Sequence, residues 1–96
     1  MTNFLVVSGI SFDTIKKLEQ NASDLFDLNS NKEEFVKIVS FLKLIGIKNI
    51  EELLLINTAL FLNTKEEVSN LFLNSKQKNI IDLINEDSEN IFMLYE

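Results

Sequence analysis

Cysteine, histidine and proline are all missing from this chain of 96 residues. Without cysteine, neither a disulfide framework nor a thiolate metal site can form. Without histidine, the chain lacks the most common general base and the most common zinc ligand. We therefore predict a non-enzymatic protein that has no catalytic, cofactor-binding or metal-binding residues and no small-molecule substrate.

Glycine is also scarce, since Gly9 and Gly46 are the only two in the sequence. This composition suits helices better than a turn-rich β protein. Hydrophobic residues make up 46% and charged residues 25%, an ordinary balance for one globular domain. No apolar run approaches the ~20 residues of a membrane span, and the first residues lack the basic region of a signal peptide. We expect one all-α domain over residues 1–96, located in the cytoplasm and not in a membrane.

The net charge is −6, and the second half of the sequence carries the whole excess. Lysines and carboxylates balance within residues 1–48, whereas residues 49–96 hold nine carboxylates against three lysines. Every cation is a lysine. This asymmetry separates a neutral half from an acidic half, and it bears on the choice of partner.

Two near-copies of one segment, FLVVSGI at residues 4–10 and FLKLIGI at residues 41–47, lie 37 positions apart. A further shift of 31 positions relates apolar residues in pairs: Leu53 and Ile84, Leu60 and Ile91, Phe61 and Phe92. The spacing of eight residues from Leu53 to Phe61 also separates Leu18 from Phe26. These matches indicate a degenerate internal repeat.

Each repeat has the pattern of two helices joined by a tight turn. Residues 31–45 carry one apolar stripe of helical period: Phe35, Ile38, Leu42 and Ile45. Ser30 with Glu33, or Asn31 with Glu34, can cap the start of this helix. Gly46 suits the left-handed position just after its end.

The same pattern continues along the second half of the chain. Asn49 can start a shorter helix, and Leu60–Phe61 turn the chain back. Thr64 with Glu67 forms a further capping box, and the third unit begins near Ser75. We predict a short α-solenoid-like array of about six helices in about three helical-hairpin repeats of ~31–37 residues, with units over approximately 4–40, 41–71 and 72–96. A plain helical bundle is the alternative.

The predicted core follows from these stripes. It consists of the apolar positions that recur between units or share a helical face: Ile15, Leu18, Phe26, Phe35, Ile38, Leu42, Ile45, Ile50, Leu53, Phe61, Leu71, Phe72, Ile81, Ile84 and Phe92.

This unit resembles the repeat of the mitochondrial transcription termination factor family, and its bacterial-type members most. The matching pattern is G-I, then I-x-x-L-L-x-x-N-x-x-L-F, a capped longer helix and F-L-K-x-x-G-I; it covers residues 4–93 and is best over 32–65. A proline usually follows the asparagine of the short turn in that family, whereas Thr58 follows Asn57 here. The resemblance implies an α-solenoid of stacked helical triplets whose concave basic face binds nucleic acid.

Five lysines of the neutral half are the candidate phosphate contacts for such binding: Lys16, Lys17, Lys37, Lys43 and Lys48. Affinity for a polyanion comes from cations that neutralise phosphates. A chain of net charge −6 would have to gather its lysines on one face to achieve this. The alternative interpretation is that these lysines form solvated helix faces.

The carboxylates suggest structural roles. Asp27, Asn29 and Asn31 imitate the start of a calcium-binding loop, but Lys32 stands where the loop needs glycine and Ile38 where it needs glutamate. We therefore interpret them as a turn and a helix cap. Adjacent glutamates recur near the predicted helix starts, where they stabilise the helix dipole: Glu33–Glu34, Glu51–Glu52 and Glu66–Glu67.

Some apolar residues lie outside the main stripes: Val36, Leu44, Leu54 and Leu55. A three-unit array also has open apolar ends, which favour a partner. The function that the sequence favours is an interaction module that binds a protein or itself, through these ends or through the acidic half. One alternative is a nucleic-acid-binding protein of the termination-factor type. Another is an acidic mimic that blocks a nucleic-acid-binding protein.

Overall fold

The computed structural model describes residues 2–96, and every regular element in that range is helical. The α-helices are α1 (Asn3–Val7), α2 (Phe12–Glu19), α3 (Ala22–Ser30), α4 (Lys32–Leu44), α5 (Ile50–Ile56), α6 (Lys65–Leu73) and α7 (Ile80–Glu86). A first 3₁₀ helix, Thr58–Leu62, follows α5, and a second, Ser88–Tyr95, follows α7. The all-α prediction is confirmed, and the described residues form more helices than the roughly six that we predicted. Within this range no helix has the length and apolarity needed to cross a membrane.

The helices form a body of 37 × 24 × 21 Å. The long helix α4 lies against α1, α3, α5, α6 and the first 3₁₀ helix. Phe35 of α4 is fully buried, and its ring meets Phe4 edge-on at 5.1 Å and Phe61 at 5.6 Å between centroids. Edge and tilted contacts of this kind are the favourable geometries for aromatic pairs. One aromatic cluster therefore joins α1, α4 and the first 3₁₀ helix.

The two near-identical segments FLVVSGI and FLKLIGI fold in the same way. Each ends a helix with a glycine of positive φ, +84° at Gly9 and +100° at Gly46. In each, the amide after the glycine donates to the carbonyl of the leucine five residues earlier, at 3.1 Å in the first copy and 2.9 Å in the second. These bonds satisfy helix-end carbonyls, and glycine adopts this conformation without the penalty of a Cβ. The prediction for Gly46 is confirmed.

The segment after Gly46 and the last part of the chain also share local geometry. Asn49 and Asn79 precede α5 and α7, and Asn57 and Asp87 end them. The structural offset between these two pairs is 30 residues, whereas the sequence comparison gave 31. The helix bounds therefore recur with an offset one residue shorter than that of the matched apolar residues.

Two residues of the predicted core are exposed in the structure. Phe92 is 48% exposed, and its neighbour Ile91 is buried. Phe26 is 60% exposed, and Leu25 is buried in its stead. Matching phenylalanine to phenylalanine by type selected the neighbour of the buried residue in both cases.

The other predicted core residues are buried or half-buried. The buried ones are Ile15, Leu18, Phe35, Ile38, Leu42, Ile50, Leu53, Phe61 and Ile84, and the partly buried ones are Ile45, Leu71, Phe72 and Ile81. Leu54, which we had assigned to surplus apolar surface, is completely buried. Val36, Leu44 and Leu55 are exposed, as that assignment expected.

The predicted helix caps were partly right. Thr64 and Glu67 form a complete capping box at the start of α6. Asn31 precedes α4, but its side chain makes no capping bond. Its amide instead donates to the carbonyls of Phe61 and Asn63, at 3.0 and 2.9 Å. The Asn31 side chain therefore binds a distant turn through its amide nitrogen and does not cap α4 through its oxygen.

Candidate functional site

The exposed side of α4 carries an apolar row. Val36, Ser40 and Leu44 follow one another at intervals of four residues, which places them on one line along the helix. Val36 is 36% exposed and Leu44 is 85% exposed. Leu44, at the end of this row, is left uncovered by the other residues that the structure describes. This row is a candidate contact surface.

The start of α6 lies beside that row, and the two helices together form a groove. The Nζ of Lys65 lies 5.4 Å from the centroid of the Phe41 ring, a cation–π contact between α6 and α4. The resulting groove has a volume of about 590 Å³, within the ~300–1,000 Å³ typical of binding pockets. It is lined by Val36, Lys37, Ser40, Phe41, Leu44 and Lys65. We call it the α4–α6 groove.

One carboxylate fixes the polar rim of this groove. Glu34 accepts a hydrogen bond from the backbone amide of Lys65 at 2.8 Å, and its other oxygen lies 3.3 Å from Nζ of Lys37. Two contacts lower the pKa of Glu34 below the ordinary glutamate value: first the hydrogen bond from the Lys65 amide, and then the adjacent Lys37 side chain. Glu34 therefore ties the start of α6 to α4 in its ionised form. The Lys37 side chain remains 64% exposed.

A second surface lies on the second 3₁₀ helix. Side chains three residues apart eclipse one another in this helix type, so its residues form separate stripes. Ser88, Ile91 and Leu94 form the buried stripe. The exposed stripe contains Glu89, Phe92 at 48% and Tyr95 at 52% exposure. We call these three residues the acidic–aromatic stripe.

The stripe is held firmly on the body of the protein. The buried Asn57 donates a hydrogen bond from Nδ2 to the hydroxyl oxygen of Tyr95 at 3.0 Å. Ile91 and Leu94 anchor the opposite side of the same helix in the core. The exposed parts of the Phe92 and Tyr95 side chains therefore lie on a helix whose opposite side is anchored in the core.

The five candidate lysines are all exposed, and two of them share a cleft. Lys43 and Lys48 line a cavity of about 340 Å³ together with Glu51 and Glu52. Nζ of Lys43 donates to the carbonyl of Ser8 at 3.1 Å, which is a favourable contact for a cation at a helix end. The cleft therefore combines cations and carboxylates in equal number.

The other candidate lysines have different surroundings. Lys37 lines the α4–α6 groove, and Lys16 and Lys17 lie in the last turn of α2. Lysines in a last turn complement the helix dipole. Lys65 was not among the candidates, yet it closes the groove. Its contact with Phe41 joins residues 24 positions apart, and no local pattern in the sequence signals it.

The carboxylates lie where structural roles were expected. The adjacent glutamate pairs occupy the first turns of α4, α5 and α6. Asp27 and Asn29 belong to α3, so they form part of a helix rather than the turn that we had predicted. Within residues 2–96, no group of three or more carboxylates is arranged to hold a metal ion.

Glu51 has a specific partner outside its own helix. It accepts a hydrogen bond from the backbone amide of Ser11 at 2.8 Å. The Ser11 side chain, with the Thr14 side chain and the Ser11 amide, lowers the pKa of Glu51 below the ordinary glutamate value. The carboxylate therefore caps the start of α2 from a distance of 40 residues along the chain.

Comparison of the chain with protein-family models, with characterised proteins and with solved structures gave no match.

Proposed function

We propose that this chain is a small, non-enzymatic helical-repeat module that binds another protein or a second copy of itself. The observation that carries the proposal is the α4–α6 groove, in which Leu44 is 85% exposed at the end of an apolar row. Lys37 and Lys65 border the same groove. Apolar surface rimmed by polar groups is typical of protein-interaction sites.

The local geometry supports the repeat part of this proposal. α5, the first 3₁₀ helix and α6 follow one another as a triplet, and α7 with the second 3₁₀ helix repeats the first two members. The matching glycine-ended segments precede α2 and α5. A succession of this kind is what the resemblance to the mitochondrial transcription termination factor family implies. We propose a short α-solenoid-like array of that type.

A second candidate function is nucleic-acid binding. The observation that favours it is the cleft that Lys43 and Lys48 share. The same cleft contains Glu51 and Glu52, whose charges offset those of the lysines. Because phosphate binding depends on an excess of cations, protein binding through the groove is the better-supported function.

Affinity capture with matched variants tests the groove. Wild-type protein, Leu44→Glu and Leu73→Glu are immobilised and exposed to a lysate of the organism that encodes the chain, and self-association is measured in parallel. Leu73 is a suitable control because it is 77% exposed on α6 and does not line the groove. We expect wild type and Leu73→Glu to retain the same protein, or to self-associate equally. Leu44→Glu should weaken that interaction at least tenfold.

Two results would contradict the proposal. One is equal binding by all three proteins, which would remove the groove from the interaction. The other is the absence of both capture and self-association for the wild type.

A further inference from the structure

We infer that the occupant of the α4–α6 groove is a second copy of this chain, which inserts its acidic–aromatic stripe so that the copies associate head to tail. The inference rests on the proposed function and names its partner. It starts from the chemistry of the groove. Val36, Phe41 and Leu44 provide apolar walls, and Lys37 and Lys65 provide cations, of which Lys37 lies 3.3 Å from a carboxylate oxygen of Glu34. A complementary surface must offer apolar or aromatic side chains next to a carboxylate.

The acidic–aromatic stripe has this composition. Phe92 and Tyr95 are half exposed, and Glu89 lies on the same side of the second 3₁₀ helix. The aromatic rings can cover the apolar row of α4, while the carboxylate of Glu89 faces a lysine. Aromatic residues are enriched in the centres of protein interfaces, and charge complementarity sets their orientation.

The two surfaces also agree in length. Val36 and Leu44 are two turns apart on α4, and at 1.5 Å per residue the row is ~12 Å long. Glu89 and Tyr95 are two turns apart on a 3₁₀ helix, and at ~2.0 Å per residue the stripe is also ~12 Å long. Each exposed side chain of the stripe can therefore face a position along the groove.

The fixed support of the stripe reduces the entropy that docking would remove. The bond from Asn57 holds the Tyr95 hydroxyl, and Ile91 and Leu94 anchor the helix beneath. A surface that is already ordered loses less conformational freedom when it binds. Phe92 and Tyr95 nevertheless remain 48% and 52% exposed within one molecule.

The composition of the two surfaces favours joining the stripe to the groove over joining like surfaces. A symmetric contact between two stripes would oppose one Glu89 to the other, and a contact between two grooves would leave both acidic–aromatic stripes uncovered. Joining the stripe to the groove instead brings Glu89 of one copy to the lysines that border the groove of the next, Lys37 and Lys65. Such heterologous contacts produce rings or open chains. The small contact area predicts weak association, of the kind found below ~1,200 Å² of total buried surface.

The test uses two variants, one altered in the groove and the other altered in the acidic–aromatic stripe. Leu44→Glu alters the groove and Glu89→Lys alters the stripe, and both positions are exposed. Far-ultraviolet circular dichroism checks that each variant is folded. Analytical ultracentrifugation at up to about 1 mM protein, a range suited to weak interfaces, should show concentration-dependent association of the wild type. Each variant alone should associate at least tenfold more weakly, whereas Leu73→Glu should behave as the wild type does.

A mixture of the two variants decides the arrangement. Leu44→Glu retains an intact stripe and Glu89→Lys retains an intact groove, so an equimolar mixture should form one-to-one dimers and no longer species. Failure of the mixture to associate, or association of either variant at wild-type strength, would overturn the head-to-tail contact. A monomeric wild type would also overturn it. If the monomer still captured another protein through Leu44, the proposed function would stand; if it captured none, both proposals would fail.

Discussion

Nδ2 of Asn49 lies 2.8 Å from the carbonyl oxygen of Ile84 and 2.6 Å from the hydroxyl of Ser88. The Asn49 side chain, which precedes α5, thus donates hydrogen bonds to the last turn of α7 and to the first residue of the second 3₁₀ helix. Ser88 in turn donates to a carboxylate oxygen of Glu52 at 2.7 Å. This chain of hydrogen bonds fixes the relation between the middle and the last part of the protein.

Replacement of Asn49 by aspartate removes both donated bonds. It also brings a second carboxylate close to the Ser88–Glu52 pair. We expect Asn49→Asp to lower the free energy of unfolding by about 1–3 kcal/mol, the penalty for leaving buried polar groups unpaired. Asn79→Asp is the matched control, since Asn79 precedes α7 at the corresponding position and is exposed. Urea unfolding of both variants gives the comparison, and equal stability of the two would contradict the role assigned to Asn49.

Truncation of two phenylalanines should give very different results. Phe61 is fully buried, whereas Phe26 is 60% exposed. Phe61→Ala should lower the free energy of unfolding by about 3–5 kcal/mol, because it removes a buried ring and leaves a cavity. Phe26→Ala should have a much smaller effect, within about 1 kcal/mol. Chemical denaturation measures both, and a loss at Phe61 below about 1 kcal/mol would show that the core is misassigned.

Glu51 should make the stability depend on pH in the acidic range. Hydrogen bonds from Ser11 and Thr14 hold the pKa of Glu51 below its ordinary value in the folded protein. The stabilisation is therefore fully present above the unfolded value of about 4.3 and is lost as the pH falls through the lowered folded pKa. The difference in unfolding free energy between wild type and Glu51→Gln should shrink over this range. A difference that stays constant between pH 6 and about pH 3 would show that ionised Glu51 does not contribute.

Nucleic-acid binding should be very weak. We expect no affinity tighter than about 10⁻⁴ M for duplex or single-stranded oligonucleotides at physiological salt, the weak limit of non-specific binding. Titration at two salt concentrations measures this, with Lys37→Glu/Lys43→Glu as the comparison. Micromolar binding that strengthens at low salt and is lost in the double variant would favour the nucleic-acid function over the protein-binding one.

Several features of this protein could be predicted from the sequence because they depend on neighbouring residues. The absence of proline and the helical period of residues 31–45 indicated an all-α chain with a long helix, which α4 confirms. Gly46 and the Thr64–Glu67 pair were assigned correctly because a positive φ and a capping box are local requirements. In each case the residues that decide the conformation lie within one helical turn of each other.

Tertiary structure alone decided which of two adjacent apolar residues is buried. Leu25 and Ile91 point into the core, and Phe26 and Phe92 next to them face outward. Residue type cannot separate such neighbours, because both members of each pair are apolar and the choice depends on how the helices pack. The same holds for the groove, where Lys65 meets Phe41 from another helix, and for the Asn31 amide, which serves a turn 30 residues away. These contacts exist only after the helices have assembled, and they create the surfaces on which the proposed function depends.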